Sequence, residues 1–208
     1  MDTACQATWD RLSRTYDWVT AGDERRFGPA KSRLFTRMKG RCLMLAAGTG
    51  NDFRHFPPGL EITAIDISPA MIERAGRRAA AYRGRLELRV MDAQSLEFPN
   101  ATFDTVATAC TFCSVPDPLL GLRELRRCLR PGGTLLMFEH VRSRVGPIAL
   151  LQDLMTPVLR VLGPEMNRDT VANVMRAGFE LVREENVYFD VVKAIEARCP
   201  GPKGASDP

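Results

Sequence analysis

Five short apolar runs, Leu43–Ala47, Ile62–Ile65, Leu86–Val90, Val106–Cys110 and Leu135–Phe138, punctuate the chain, with stretches of helical apolar spacing between them. Strands joined by helix-length connections run parallel, because such a crossover returns the chain to the same edge of the sheet. The weak polar alternation inside the runs agrees, since a parallel sheet is buried on both faces. Ser68 before Pro69 marks a helix start, a side-chain cap followed by a residue suited to the first helical position. Another helix is predicted from Pro118 to Leu129, stopped by Pro131, Gly132 and Gly133, which turn the chain into the fifth strand.

The flanks carry helices and two further strands. Trp9, Leu12, Tyr16 and Val19 recur at helical spacing until Gly22 and the polar stretch Asp23–Arg26 interrupt them. After the fifth strand, Ile148–Leu162 is apolar and helical in spacing, but Pro147, Pro157, Gly163 and Pro164 are expected to break it into the pieces of a lid. Asn167–Ala177 reads as a helix ended by Gly178, and Phe179–Val182 and Val187–Val192 as closing strands. A length of 208 residues suits one core. We therefore expect a single domain over residues 1–198, with a helical cap at 1–38, a lid at 145–165 and a flexible tail at 199–208.

Composition narrows the function. With 45% apolar and 26% charged residues, the chain is neither a disordered nor a collagen-like sequence. Its net charge of +4 is spread along the chain rather than gathered in a block, so nucleic acid is not implied; Arg77, Arg78, Arg123, Arg126 and Arg127 read as solvated helix faces. Several of the six cysteines fall within predicted strands and helices, as small buried residues in a reducing compartment do. Asp10, Arg11, Arg14 and Asp17 rule out a signal-peptide core near the start, and no run approaches the ~18 uncharged residues of a membrane span, so cytoplasmic residence is the default expectation.

Chemistry concentrates at the ends of the first three runs. Leu43–Leu45 leads into Ala46, Ala47, Gly48, Thr49 and Gly50, small residues that let backbone approach a ligand ahead of a helix N-terminus. A dinucleotide fingerprint would place a third glycine where Phe53 stands, which argues against NAD or FAD. Asp66 ends the second run at the separation where such sites set a carboxylate against ribose hydroxyls. Asp92 and Ala93 follow the third run, where a carboxylate and a backbone donor can frame an adenine. These places describe an adenosine pocket on a Rossmann-like α/β sheet: seven-stranded, mostly parallel, with helices on both faces.

Four ordered motifs, Leu45–Gly50 (LAAGTG), Ala64–Pro69 (AIDISP), Met91–Pro99 (MDAQSLEFP) with Phe103–Val106 (FDTV), and Leu129–Thr134 (LRPGGT), give the chain a resemblance to the class I methyltransferases. That resemblance implies S-adenosylmethionine as cofactor, with Gly48 and Gly50 flanking its methionyl part, Asp66 holding the ribose with Ile67 beside it, and Asp92 and Ala93 framing the adenine. The family usually has an acidic residue where Met44 stands and a glycine where Ala46 stands. Anchoring of the methionyl amino group is therefore expected from Tyr16 or from backbone around Ala46 and Cys110.

The acceptor should meet the ends of the fourth and fifth runs, because ligands of open parallel sheets bind beyond the carboxyl ends of the strands. Cys110, Thr111, Phe112 and Cys113 stand where enzymes acting on planar amino groups carry an Asn/Asp-Pro-Pro-aromatic motif, so nucleic-acid and protein-amide methylation are disfavoured. Cys113–Pro118, Phe138–Ser143, Leu151–Leu154 and Asn167–Thr170 resemble a narrower methyltransferase-like group that methylates small alkyl thiols, and similar sequences act on phospholipids or quinones. The expected partner is a small thiol or lipid. Trp9, Thr111, Cys113, His140 and Arg142 are its candidate contacts, and His140 is the candidate base.

Several readings stand beside that one. His140 can equally be a strand-end histidine bonded to backbone, His55 reads as a surface residue, and Glu139 is expected to face away from His140. Cys110 and Cys113 lack the further partners of a structural zinc, so no metal site is assigned. Trp9, Tyr16 and Trp18 are expected to close over the site, and exposed apolar faces near Arg142 and Arg144 would allow peripheral membrane contact. A cofactor-binding protein without turnover is the non-catalytic alternative, and an NAD-linked oxidoreductase the other enzyme class.

Overall fold

A computed structural model describes residues 1–159 and 164–201. Seven strands form one sheet in the order β3-β2-β1-β4-β5-β7-β6. Five are parallel: β1 (Arg41–Leu45), β2 (Glu61–Asp66), β3 (Arg85–Val90), β4 (Phe103–Ala109) and β5 (Leu129–His140). β7 (Val192–Arg198) inserts antiparallel between β5 and β6 (Glu180–Tyr188). The chain order reverses between β1 and β4, and a crevice opens beyond the carboxyl ends of those strands, where α/β sheets bind ligands.

Alternate side chains of each central strand enter separate cores. Leu43, Leu45, Val106, Leu135 and Met137 pack against α5 (Pro118–Cys128) and α7 (Thr170–Arg176). Cys42, Met44, Ala107, Leu136 and Phe138 pack against α3 (Asp23–Phe35), with Phe53, Phe56 and Ala75 of α4 (Pro69–Ala80) beside them. Burial of both faces is why these strands read as apolar runs. Four carboxylate or hydroxyl caps begin helices: Ser68, as the sequence suggests, accepts from Met71 N, Asp2 from Ala4 N and Cys5 N, Asp117 from Leu120 N and Asp169 from Ala172 N.

Five boundaries differ from the sequence expectation. The N-terminal helical spacing ends before Gly22 as expected but is split into α1 (Thr3–Leu12) and α2 (Tyr16–Val19), and the polar stretch after Gly22 is helical, since α3 begins at Asp23 itself. Its two first-turn acids favour that start. Pro131–Gly133 does not separate helix from strand, because β5 already begins at Leu129; the register jumps from Phe103–Leu129 to Thr105–Thr134, and the intervening residues form a bulge. The last strands are β6 and β7, so Val187–Val192 straddles their hairpin rather than forming a strand.

The segment after β5 is one helix, α6 (Gly146–Leu159), with Pro147 in its first turn and Pro157 inside its last, not a set of fragments. The rest of the expected lid, residues 160–163, lies outside the described residues, as does the tail from 202. Cys199, placed in that tail by sequence, is buried and exchanges backbone hydrogen bonds with Gly132 and Gly133. α7 starts at Thr170, three residues after the expected Asn167.

Candidate active site

The carboxyl end of β1 runs into Ala46, whose φ is +49°, and then Gly48 at +54°. Gly48 N donates to Asp66 Oδ2 at 2.9 Å, and Ser68 N donates to Asp66 Oδ1 at 2.9 Å. One carboxylate thus ties the glycine bend of β1 to the end of β2 and to the start of α4. Burial pushes the Asp66 carboxyl up to about 6 against these hydrogen bonds. Across the crevice, β4 is followed by Cys110, which also holds a positive φ of +51°. Non-glycine residues in the left-handed region are strained, and two of them face one crevice from neighbouring strands.

A cleft lies above these strand ends. Tyr16, Ala46, Gly48, Asp66, Ile67, Asp92, Ala93 and Cys110 line it, as do Trp9 and Thr111. Sequence reasoning missed Cys5, Ile65, Met71, Met91, Ala109, Ser114, Val115 and Pro116. Most of these adjoin a motif residue, so a wider reading of each motif would have found them. Cys5 would not have been found, because nothing in its neighbours says that α1 crosses the cleft.

Aspartates hold that helix down. Asp2 N donates to Asp92 Oδ2 at 3.0 Å, and Asp10 Oδ1 accepts from Ser68 Oγ at 2.5 Å and from Ala70 N at 3.3 Å. Asp17 Oδ1 accepts from Thr49 Oγ1 at 2.5 Å, while its Oδ2 pairs with Arg78 at 3.0 Å. Arg78 also donates to Thr49 O at 2.7 Å, so it braces the bend rather than lying on a solvated face. Arg127 similarly donates to the carbonyls of Leu96 and Phe98. Trp9 and Tyr16 meet edge to face at 6.2 Å above the cleft, whereas Trp18 is 83% exposed and closes over nothing.

The remaining predicted residues lie elsewhere. Gly50, at φ +82°, caps the 3-10 helix Asn51–His55, and a Cβ there would come 2.7 Å from the Phe53 ring; it shapes the bend without lining the cleft. Cys113 and His140 do not line the cleft, and Cys113 Sγ donates to Cys110 O at 3.3 Å. Burial opposes charging of His140, but the Cys113 thiol and the neighbouring carboxylate outweigh it and raise the imidazole above its ordinary value. Burial keeps the Cys110 and Cys113 thiols and the Tyr16 phenol protonated. Arg142 pairs with Asp153 at 2.8 Å, away from the cleft.

One expectation is corrected outright. His55 is buried, with Nδ1 2.8 Å from Ser32 Oγ and Nε2 3.2 Å from Glu24 Oε2. The order Ser–His–Glu is that of a hydrolytic triad, but Ser32 lines no cavity, and the trio fastens α3 to the 3-10 helix. Glu139 lies on the strand face opposite His140, as alternation along β5 dictates, fully buried with its carboxylate turned toward the loop after β4. Among the described residues no cluster of His, Cys, Asp or Glu is arranged to hold a metal ion.

The donor set fits S-adenosylmethionine: two buried carboxylates, Asp66 at the end of β2 and Asp92 after β3, line one cleft with the small residues Ala46 and Gly48 of the bend after β1. A family model described as a methyltransferase domain matches residues 43–137. The chain is a class I S-adenosylmethionine-dependent methyltransferase. It is 28% identical over 196 residues to a thiol S-methyltransferase of Rattus norvegicus, covering 85% of this chain and 80% of that one. It is 32% identical over 126 residues to a phosphatidylethanolamine N-methyltransferase of Cereibacter sphaeroides, covering 60% of this chain and 62% of that one. A solved methyltransferase of Thermotoga maritima superposes with a TM-score of 0.71 at 16% identity, covering 94% and 99% of the two chains. In this methyltransferase the usual acid of β1 is Met44, fully buried against α3.

Proposed function

We propose that this methyltransferase methylates a small apolar thiol by direct displacement. The observation that carries the reading is the lining of the cleft: its ordinary acids are Asp66 and Asp92, both assigned to the cofactor, and its other walls are Trp9, Met71, Met91, Val115 and Pro116 with protonated thiols and a phenol. Among the described residues, no group that lines the cleft is left over from the cofactor to deprotonate an alcohol directly. A thiol with a pKa near ~8.5 brings a few per cent of its own thiolate at neutral pH. The thiolate sulfur forms the new bond to the methyl carbon, the carbon–sulfonium bond breaks, and S-adenosylhomocysteine leaves. The site needs to align these atoms and keep water out.

His140, which stands outside the cleft lining at the end of β5, is the group we assign to take the thiol proton. Tyr16 and the backbone at Ala46 and Cys110 stand in for the missing acid at the methionyl amino group. Methyl-labelled cofactor offered to an alkyl thiol, dispersed phosphatidylethanolamine and a quinol tests the reading. Transfer to the thiol with a thioether product supports it; transfer to the amine or the quinol alone overturns it.

A lipid acceptor is the second reading, and α6 favours it. Leu150, Leu151, Leu154, Met155 and Val158 are 44–67% exposed along that helix, and its one charged residue, Asp153, is paired with Arg142. No helix among the described residues is long and apolar enough to cross a membrane. Such a face instead suits peripheral contact with a bilayer. Sedimentation with phosphatidylglycerol vesicles, lost in Leu151→Gln/Leu154→Gln, is the result that reading requires.

A further inference from the structure

Among the described residues, Glu139 is the one buried acid near the cleft that the cofactor assignment does not use. Its Oε1 accepts from Thr108 Oγ1 at 2.6 Å, and its Oε2 accepts from Thr111 N at 3.0 Å and Phe112 N at 3.1 Å. Thr111 also approaches Oε1 at 3.2 Å. These bonds fix the segment Cys110–Phe112, whose first residue is strained and whose first two residues line the cleft. Arg168 completes the clamp by donating to Phe112 O at 2.9 Å and to Val115 O. The side chain lies on the core face of β5, fully buried, so its charge is poorly screened from the cleft one residue away.

The methyl donor and the spent product differ at this end of the site by one charge. S-adenosylmethionine carries a sulfonium, and S-adenosylhomocysteine a neutral thioether; their ribose, adenine and amino acid parts are the same. We propose that Glu139 sets the preference of the cleft for the charged donor over the neutral product, by holding a negative charge behind the Cys110–Phe112 wall, and so favours release of product. It is a positioning and charge-setting residue, not one that touches the reacting atoms.

Every charged or titratable group packed around Glu139 bears on its pH dependence. His140 is its neighbour on β5, Lys193 faces it across β7 and is itself bound by Glu184, Cys110 and Cys113 belong to the loop, and Arg168 lies beneath that loop. Burial pushes the Glu139 carboxyl up to about 7 despite its hydrogen bonds, so it ionises across the neutral range. Raising the pH from 6 to 8 therefore charges it and strengthens donor binding relative to product. Asp66 acts equally on both ligands through the shared ribose and cancels from the ratio.

Calorimetry of S-adenosylmethionine and S-adenosylhomocysteine on the full chain, wild type and Glu139→Gln, between pH 6 and 8 tests this. A glutamine can keep the loop, its oxygen accepting from Thr111 and Phe112 while its amide donates to Thr108, and the thermal midpoint of the variant checks that it does. The wild-type ratio of donor to product affinity is expected to rise about fivefold over that range, and the variant to lie about tenfold below it at pH 8 with a flat profile. Equal losses of both affinities in the variant, or a wild-type ratio independent of pH, would overturn the proposal and leave Glu139 a support for the loop. A wild type that binds neither ligand would overturn it together with the cofactor assignment.

Discussion

Ala46 and Cys110 show how single residues make this site. Each takes a left-handed backbone that glycine adopts freely and other residues resist. Ala46→Gly should raise the thermal midpoint by about 2–4 °C, the equivalent of about 1 kcal/mol of relieved strain in a chain of this size; an unchanged or lower midpoint in a melt would show that the alanine methyl packs for more than it strains. Asp66 gives a prediction in pH. Its carboxyl, raised to about 6 by burial, must be ionised to accept from ribose hydroxyls. Acid therefore competes with the cofactor, and affinity for donor and product alike should fall about tenfold between pH 7 and 5. Asp66→Asn should flatten that dependence and bind more weakly throughout, and a variant with a wild-type profile in calorimetry would remove Asp66 from the ribose. His140→Ala should slow turnover most at low pH and recover as the acceptor thiol ionises by itself. A pH–rate curve parallel to the wild type's would deny His140 a part in the proton's departure.

Helices α1 and α6 are the elements whose roles the chain hides. α1 has no buried residue, yet Cys5 and Trp9 face the cleft and Asp2 and Asp10 fasten it to Asp92, Ser68 and Ala70. A helix held by a few polar contacts rather than by a core opens easily. Asp10→Ala should speed cofactor dissociation about fivefold, in keeping with the ~1 kcal/mol of a hydrogen bond, and leave the thermal midpoint nearly unchanged; stopped-flow release at the wild-type rate would mean that α1 is no strap. The apolar spacing of α1 and α6 was plain in the sequence, but periodicity reports only that a face is apolar. Whether that face meets the cleft, a core or solvent depends on where the rest of the chain lies. Prolines 147 and 157 misled for a related reason: near a helix end the missing N–H and the ring clash disturb few intrahelical bonds.

At the scale of the molecule, the cofactor joins elements that otherwise meet only through the strap and the bend. At a hundredfold excess over its dissociation constant, S-adenosylhomocysteine should add about 2.7 kcal/mol and raise the midpoint by about 5–10 °C, while NAD should leave it unmoved. A shift with NAD alone in differential scanning fluorimetry would contradict the donor set described above. The five parallel strands, the order of the four motifs, and the carboxylates at 66 and 92 could be read directly from the sequence, because burial on both faces and tight turns are encoded by neighbouring residues. His55, Glu139 and Arg168 could not. Their roles come from partners 23 to 56 positions away, at Ser32, Thr111 and Phe112. Local spacing can say which residues suit a strand or a bend. Only the folded chain decides which buried charge stands behind which wall, because that depends on pairing between strands far apart in sequence.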